Sequence, residues 1–342
     1  MNLRFEGALV RGGREARERF HDSRGYGRAD DGAVVLAPVE VAHLLARGDV
    51  DRIEGQTVTD LLAGGRVSLA HLAVYADLRN RGFYLTPGRL LDADADFVVY
   101  PRGSGPWDDA VAYRIDVIDE RDTLRPDAGV IAVVDEEGEV SYVEIERREP
   151  SGTVDRVDAT LAGRRVEDRV LVADPPAGVH ERSFYGQPMP GGIDGIGLSL
   201  LEAIHLAATD RLALDGVAAT PDSGATDPAA TLRAVGRDLG GERFDRRLAA
   251  YRALRTAGIA PKTGYKFGAD FRTYAAIETV EDLGHSEWLV RVRPADRPVA
   301  PREIALDVRM AHGVRKTMVH ALVPDDPAPE AIEWLAIERL TP

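Results

Sequence analysis

The chain has 342 residues, of which 44% are apolar, enough to support buried cores and to argue against wholesale disorder. It contains no cysteine, which excludes disulfides, thiolate metal sites and cysteine nucleophiles. The formal net charge of −14 argues, at face value, against a nucleic-acid partner.

The charge is distributed unevenly along the chain. Residues 251–342 contain 13 basic and 13 acidic residues, so the whole negative excess lies in residues 1–250. Of the 43 basic residues only Lys262, Lys266 and Lys316 are lysines, which leaves 40 arginines. An acidic surface with arginine in place of lysine is typical either of a halophile or of codon bias in a GC-rich genome.

The chain has no apolar stretch of about 18 uncharged residues, the length needed to span a membrane. Its first twenty residues also lack an apolar run of signal-peptide length. We therefore expect a cytoplasmic protein.

Predicted elements follow the same order twice. Short strands with glycine turns precede a helix at "VVLAPVEVAHLLA" (34–46), and strands at "RVLVADPPAG" (169–178) precede an amphipathic helix at "LSLLEAIHLAA" (198–208). A longer helix at "FDRRLAAYRALRTAG" (244–258) is expected to end at its glycine. Strands follow, interrupted by a helix at "APREIALDVRMAHGV" (300–314).

The sequence itself also repeats. "YADLRNRGFYLTPG" matches "YRALRTAGIAPKTG" without gaps, and four further blocks recur in the same order. The paired blocks are 25–32 with 184–192, 34–46 with 196–208, 75–88 with 251–264, 95–100 with 269–274, and 142–149 with 334–341. We predict an α+β fold made by tandem duplication. Each repeat has a small N-terminal αβ subdomain followed by a mixed-sheet α/β subdomain.

The predicted domain boundaries follow from these blocks. The first repeat is expected at 1–168, with an N-terminal subdomain at about 1–65 and a mixed-sheet subdomain at about 66–160. The second repeat is expected to divide into 169–240 and 241–342, with a loop insertion at 216–230. The first half has no counterpart of "REIALDVRMAHGVRK" (302–316), which indicates that one copy performs chemistry while the other supports it.

Three residues of the second half, Tyr274, His285 and Lys316, could act together on a phosphodiester. An imidazole can donate a proton at neutral pH, a phenol can accept one where a nearby cation lowers its pKa, and a compact ammonium can follow charge that builds on a phosphorane oxygen. Taken singly, Tyr274 would more often be a packing residue, a role that its counterpart Tyr100 in the first half also supports, and Lys316 could equally lie on a solvated surface.

The segments that carry these residues resemble a known family. "RTAGIAPKTGYKFGADFRTY" (255–274), "GHSEWLVRV" (284–292) and "VRMAHGVRK" (308–316) are similar to the archaeal tRNA-splicing endonucleases, in their duplicated two-repeat form. The "FYGQPMPGG" and "LSLLEAIHLA" segments resemble that family's N-terminal subdomain. The mixed-sheet subdomains would then be nuclease-like, catalytic at 241–342 and degenerate in the first repeat.

The resemblance implies metal-independent excision of introns from precursor tRNA at bulge-helix-bulge sites, with 2′,3′-cyclic phosphate and 5′-hydroxyl ends. Tyr274 would be the general base, His285 the general acid and Lys316 the group that stabilises the transition state. Arg309 and Arg339 would clamp a flipped-out base. No cofactor or metal is implied.

The resemblance also implies a homodimer, in which an acidic loop of the degenerate repeat docks on the partner's catalytic repeat. The candidate loop is "VDEEGEV", with Asp135, Glu136 and Glu137, which without the resemblance would be interpreted as an ordinary hairpin turn with solvated charges. One departure from the family pattern is Gly313, which stands where a serine is common.

Two other functions remain open. A metal-dependent nuclease could use Asp270 or Asp307 with Lys316, and a non-catalytic RNA-binding or scaffold subunit would need no reactive residues. A Glu-x-x-His pattern occurs twice, at Glu40 and Glu202, within apolar helices. We do not expect a metal there, because no four-helix pattern surrounds it.

Overall fold

The computed structural model describes residues 2–215, 227–326 and 328–342, and the chain divides into two compact units. Unit 1 comprises Met1–Glu146, Pro298–Ala305 and Glu338–Pro342, and unit 2 comprises Arg147–Arg297 and Leu306–Ile337. The insertion predicted at 216–230 lies for its larger part outside the described residues. Within those residues, no helix has both the length and the apolar character that crossing a membrane requires.

Unit 1 begins with a small antiparallel sheet. Its strands are β1 (Leu3–Glu6), β2 (Leu9–Gly12), β3 (Arg28–Asp30) and β4 (Ala33–Leu36). They pair in the order β1-β2-β4-β3, and Gly7, at a φ of 64°, allows the tight turn between the first two. A helical turn, α1 (Arg14–Ala16), continues as a π-helix over Arg17–Asp22.

Three helices connect this sheet to a second, mixed sheet of unit 1. The helices are α2 (Pro38–Ala46), α3 (Val58–Ala63) and α4 (Leu69–Asn80). The strands are β5 (Leu85–Pro87), β6 (Phe97–Val99), β7 (Tyr113–Asp119), β8 (Gly129–Val134) and β9 (Val140–Arg147). They pair in the order β9-β8-β7-β6-β5, with β7 and β8 parallel. One apolar core joins the helices to both sheets.

Unit 2 repeats this plan. Its first sheet has the order β12-β13-β11-β10-β14 and is covered by helix α5 (Leu200–Ala208). The strands are β10 (Leu161–Val166), β11 (Arg169–Val172), β12 (Gln187–Pro188), β13 (Ile196–Ser199) and β14 (Leu212–Leu214). The predicted domain boundary at residue 168 lies in the turn between β10 and β11.

The mixed sheet of unit 2 follows helix α6 (Pro228–Thr256), whose backbone leaves helical geometry at Gly241. The strands are β15 (Ala260–Thr263), β16 (Phe271–Tyr274), β17 (Trp288–Pro294), β18 (Thr317–Val323) and β19 (Glu333–Leu340). They pair in chain order, and only β17 and β18 are parallel. The recurrence of both layers confirms the predicted α+β tandem duplication.

The two mixed sheets differ at their parallel pair. In unit 1, β7 and β8 are joined by a short segment without a helix, whereas β17 and β18 of unit 2 are joined through helix α7 (Pro301–Gly313). This is the helix predicted from "REIALDVRMAHGVRK", which the first half lacks. Only the second repeat therefore has a helix that ends directly before a central strand of its mixed sheet.

Candidate active site

Three strand ends of unit 2 meet at one edge of its mixed sheet. Tyr274 is the last residue of β16, His285 lies three residues before β17, and Lys316 immediately precedes β18. Because β16 runs antiparallel to β17, and β17 parallel to β18, the end of β16 lies at the starts of the other two strands. The fold thus brings the three predicted residues to the same edge.

Backbone hydrogen bonds fix the loop between these strands. The Glu287 N–H donates to the Thr273 carbonyl at 3.2 Å, and the Thr317 N–H donates to the Glu287 carbonyl at 3.1 Å. Each bond joins a residue beside one predicted catalytic position to the loop that carries another. The pairing of the strands therefore fixes the positions of the three strand ends relative to one another.

Lys316 is held from both its backbone and its side chain. Its N–H donates to the Ala311 carbonyl at 2.9 Å, the Arg315 N–H donates to the His312 carbonyl at 3.0 Å, and Arg315 has a φ of 56°. These are the features of a Schellman cap at the end of α7. The Lys316 ammonium donates to the Ser286 carbonyl at 2.6 Å, so it lies directly against the residue that follows His285.

Arg272 contributes a second cation to this edge. Its guanidinium carbon is 5.7 Å from the centre of the Tyr274 ring, two residues along the same strand face. Partial burial, and then the positive charge of Arg272, lower the pKa of Lys316. Sequence reasoning did not single out Arg272, although the Arg-x-Tyr spacing in a strand would have placed it beside Tyr274.

Tyr274 and His285 have opposite environments. Tyr274 is 7% exposed and packs in a small apolar cluster with Val154 and Ala260, its ring 5.5 Å from that of Phe184 in an edge-to-face arrangement. His285 is exposed in the loop that precedes β17. The phenol is therefore held by packing, whereas the imidazole faces solvent, where a substrate can reach it.

Behind Tyr274 lies a buried charge network that the sequence did not reveal. The Lys262 ammonium donates to the Glu202 carboxylate at 2.8 Å and to the carbonyls of Phe184 (3.3 Å) and Gly186 (3.0 Å). Arg255 donates to the carbonyls of Ser183 (2.8 Å) and Phe184 (3.2 Å). The network thereby fixes Phe184, the residue that packs on Tyr274.

The glutamates of both Glu-x-x-His patterns accept backbone N–H groups, and in unit 2 the glutamate also belongs to this network. In unit 1, Glu40 accepts the N–H groups of Gly27 (2.7 Å) and Ala37 (2.8 Å), and His43 lies 3.0 Å from the Tyr26 hydroxyl. Burial raises the pKa of Glu40 to about 7. Burial opposes ionisation of Glu202 too, but Lys262 and the backbone donors outweigh it and lower its pKa to about 2. Among the described residues, no three His, Asp or Glu side chains form a metal-binding cluster.

The carboxylates proposed for a metal-dependent nuclease are both buried in ion pairs. Asp270 is 5% exposed, with Arg243 at 2.5 Å and Arg247 at 3.1 Å. Asp307 is 2% exposed and contacts Arg291 at 2.7 Å. It also contacts Arg293 at 3.4 Å and His320 at 2.8 Å. Neither carboxylate faces the edge that carries Lys316 as a free ligand, so this arrangement does not favour that alternative.

The remaining predicted residues lie on exposed elements. Arg309 is exposed on α7 in unit 2, and Arg339 is exposed on the part of β19 that belongs to unit 1. Asp135, Glu136 and Glu137 form the turn between β8 and β9. The Asp135 carboxylate accepts the Glu137 N–H at 3.0 Å, and Glu136 pairs with Arg121 at 3.1 Å.

Gly313, the departure from the family pattern, is the last residue of α7. A Cβ built on it meets no atom within 4 Å, and its φ is not in the left-handed region. A serine would therefore fit at this position without strain. The left-handed residue of the cap is Arg315, so the turn before Lys316 does not depend on the glycine.

Comparison with known proteins decides the family. Residues 244–332 match the model of the tRNA intron endonuclease catalytic C-terminal domain, and residues 1–62 and 161–221 both match the model of its N-terminal domain. A tRNA-splicing endonuclease of Haloarcula marismortui is 55% identical over 350 residues, covering all of both chains. The chain belongs to the tRNA intron endonuclease family. Two more tRNA-splicing endonucleases, from Natronomonas pharaonis and Methanosarcina mazei, are 52% and 32% identical, with 98% and 99% of each chain covered.

Membership of the tRNA intron endonuclease family agrees with the duplicated architecture, because the N-terminal model matches once in each repeat. The catalytic model matches once, in the repeat that has α7. Its range includes Tyr274, His285, Arg309 and Lys316 but not Arg339. The family, the enzyme class and the fold expected from the sequence are thus confirmed.

Proposed function

We propose that this chain excises introns from precursor tRNA by cleaving bulge-helix-bulge splice sites without a metal ion. The observation that carries the proposal is the edge of the unit 2 sheet, where Lys316 donates to the carbonyl of Ser286, the residue after His285, and Arg272 lies over the Tyr274 ring. These groups supply a proton acceptor, a proton donor and two cations at one place. The names of the relatives point to tRNA introns as the substrate.

In the proposed reaction the substrate's own 2′-oxygen attacks the adjacent phosphorus. Tyr274, as the general base, accepts the 2′-hydroxyl proton, and His285 donates a proton to the 5′-oxygen as its bond to phosphorus breaks. Lys316 stabilises the charge on the non-bridging oxygens of the phosphorane. The products are a 2′,3′-cyclic phosphate and a 5′-hydroxyl, so atoms and protons balance without added water.

The two halves of the molecule provide a matched test of Tyr274. Tyr274→Phe should reduce the single-turnover cleavage rate at least a hundredfold by order of magnitude, because it removes the proton acceptor. Tyr100→Phe makes the same change at the corresponding buried position of unit 1, where the hydroxyl contacts Thr86 at 3.1 Å, and it should leave the rate unchanged. Equal effects of the two substitutions would contradict the assignment.

His285 has a control within the same unit. His285→Ala should lower cleavage of a normal substrate but should be rescued by a substrate whose 5′-oxygen is replaced by sulfur, a leaving group that needs no proton. His312→Ala, at an exposed position on α7, should change neither rate. Failure of the sulfur substrate to rescue His285→Ala would contradict its role as general acid.

We further propose that the protein works as a homodimer, with Arg309 and Arg339 gripping an unpaired base and the Asp135–Glu137 turn docking on the partner's catalytic repeat. Both arginines are exposed, as a base clamp requires. Arg309→Lys keeps the charge but loses the planar face, so it should weaken binding of a bulged RNA more than of a duplex. Reversing the charges at Glu136 and Glu137 should shift the mass measured by light scattering toward the monomer.

A further inference from the structure

The turn that joins β15 to β16 presents an aromatic ring to solvent. Tyr265 is 86% exposed, the highest value among the large hydrophobic side chains of the described residues. Lys266, which follows it, is exposed as well. An exposed phenol beside one of only three lysines in a chain of net charge −14 calls for a physical explanation.

The turn is rigid although its side chains are exposed. The Gly264 carbonyl accepts from Phe267 N–H at 2.8 Å and from Ala269 N–H at 3.2 Å, and Gly268 closes the turn at a φ of 63°. The Gly268 carbonyl in turn accepts from the Arg291 guanidinium at 2.9 Å. The Tyr265 ring therefore projects from a fixed backbone, which reduces the entropy lost when a ligand stacks on it.

The first repeat contains the same turn without these side chains. The Gly88 carbonyl accepts from Leu91 N–H at 2.8 Å and from Ala93 N–H at 3.1 Å, as Gly264 does in unit 2. The residues that follow Gly88 are Arg89 and Leu90 where unit 2 has Tyr265 and Lys266. The backbone turn thus forms without the tyrosine and lysine, so folding does not account for them.

The turn adjoins the proposed catalytic edge. Phe267 packs in a cluster with Leu289, Ala311 and Met318, and its ring centre is 5.8 Å from the Lys316 ammonium. A Cβ placed on Gly268 would lie 3.4 Å from Met310, the neighbour of Arg309 on α7. The side chains of Tyr265 and Lys266 therefore project from a turn that contacts α7 and lies beside Lys316.

We propose that Tyr265 and Lys266 form an RNA contact in which the phenol ring stacks on an unpaired base and the ammonium binds the adjoining phosphate. The proposal rests on the function proposed above. Aromatic side chains stack on bases of any sequence, and a lysine adds a salt-sensitive phosphate contact. The local balance favours a polyanion, because residues 251–323 hold 12 basic and 8 acidic residues in an otherwise acidic chain.

Equilibrium binding tests this contact separately from catalysis. The probe is a bulge-helix-bulge RNA with a 2′-deoxy nucleotide at each splice site, which cannot be cleaved, carrying 2-aminopurine in the bulge. Tyr265→Ala should weaken binding roughly ten- to a hundredfold and restore 2-aminopurine emission. Tyr265→Phe should bind like the wild type, and so should Leu239→Ala, which removes another exposed apolar side chain of unit 2.

Lys266→Ala should lower the slope of log K against log salt by about one, whereas Tyr265→Ala should leave the slope unchanged. Wild-type affinity and slope in both alanine variants would overturn the proposal, even if the enzyme cleaves as proposed. A change in mass by light scattering with RNA affinity intact would instead assign the turn to contact between copies and would also overturn it. If the wild type binds the RNA but cleaves no substrate, the proposed function is wrong, and the effects of the two alanine variants on RNA affinity still test this contact.

Discussion

Replacing Lys262 with methionine tests whether the buried charge network supports the proposed site. Lys262 is 7% exposed and Glu202 is 5% exposed, so the substitution leaves a carboxylate inside the protein without its cation. The N–H groups of Gly186 and Ser199 still donate to that carboxylate, at 3.0 and 2.9 Å. Removing one partner of a buried ion pair lowers the free energy of unfolding by about 3–5 kcal/mol.

For a domain of 150–250 residues this cost corresponds to a fall in Tm of roughly 6–20 °C. The pH dependence has a definite sign. In the wild type the pKa of Glu202 is about 2, so the pair stabilises the fold above the ordinary pKa of 4.5, and this stability is lost as the pH falls toward 2. Without Lys262, the carboxyl group of Glu202 can be buried in its neutral form. The difference in unfolding free energy between the wild type and Lys262→Met should therefore become smaller as the pH is lowered from 7.

Urea unfolding at pH 5 and pH 7 measures both effects. Lys262→Met combined with Glu202→Gln removes both charges and should recover part of the lost stability, whereas Lys266→Met, at an exposed lysine, should change stability by less than about 0.5 kcal/mol. A loss of stability below about 1 kcal/mol in Lys262→Met, or one that does not depend on pH, would show that the Lys262–Glu202 pair does not stabilise the fold.

Three further predictions concern stability. Because burial raises the pKa of Glu40 to about 7, its neutral carboxyl group stabilises unit 1 by up to about 3 kcal/mol, a contribution that is lost as the pH rises from 4.5 through 7. The difference in unfolding free energy between the wild type and Glu40→Gln should change by that amount over this range, in urea unfolding followed by Trp107 fluorescence with the other two tryptophans replaced. Asp307→Asn should lower the free energy of unfolding by about 3–5 kcal/mol, because it leaves two arginines and a buried histidine without their carboxylate. An unchanged Tm in calorimetry would contradict this. Arg315→Gly should raise Tm by roughly 2–4 °C, since glycine adopts the left-handed conformation of the cap without strain, and a fall in Tm would show that the arginine side chain matters more.

Much of the fold could be predicted because the local sequence patterns that specify its helices and strands occur twice. The helix before Lys316 has apolar residues at helical spacing, and its absence from the first half was visible without a structure. Tyr274, His285 and Lys316 were selected by their residue types, and their individual roles came from a family resemblance. Their meeting at one sheet edge depends on strand pairing between residues 17 to 29 positions apart, which local patterns do not specify.

The residues that surround the site were harder to predict. Lys262 lies 60 residues from Glu202, and Asp307 lies 13 residues from His320, so neither pair shares a helix face or a strand face. Scarcity drew attention to all three lysines, yet it could not distinguish the buried Lys262 from the exposed Lys266. Burial decides that difference, and burial is a property of the whole fold.

The most direct test of the account is the single-turnover rate at which the wild type and Lys316→Arg cleave a bulge-helix-bulge RNA in excess EDTA. We expect full wild-type cleavage to a 2′,3′-cyclic phosphate. For the arginine variant we expect a rate lower by about 10²–10³, equivalent to about 2.7–4 kcal/mol of lost transition-state stabilisation. Loss of wild-type cleavage in EDTA, or a full rate with arginine at position 316, would contradict it.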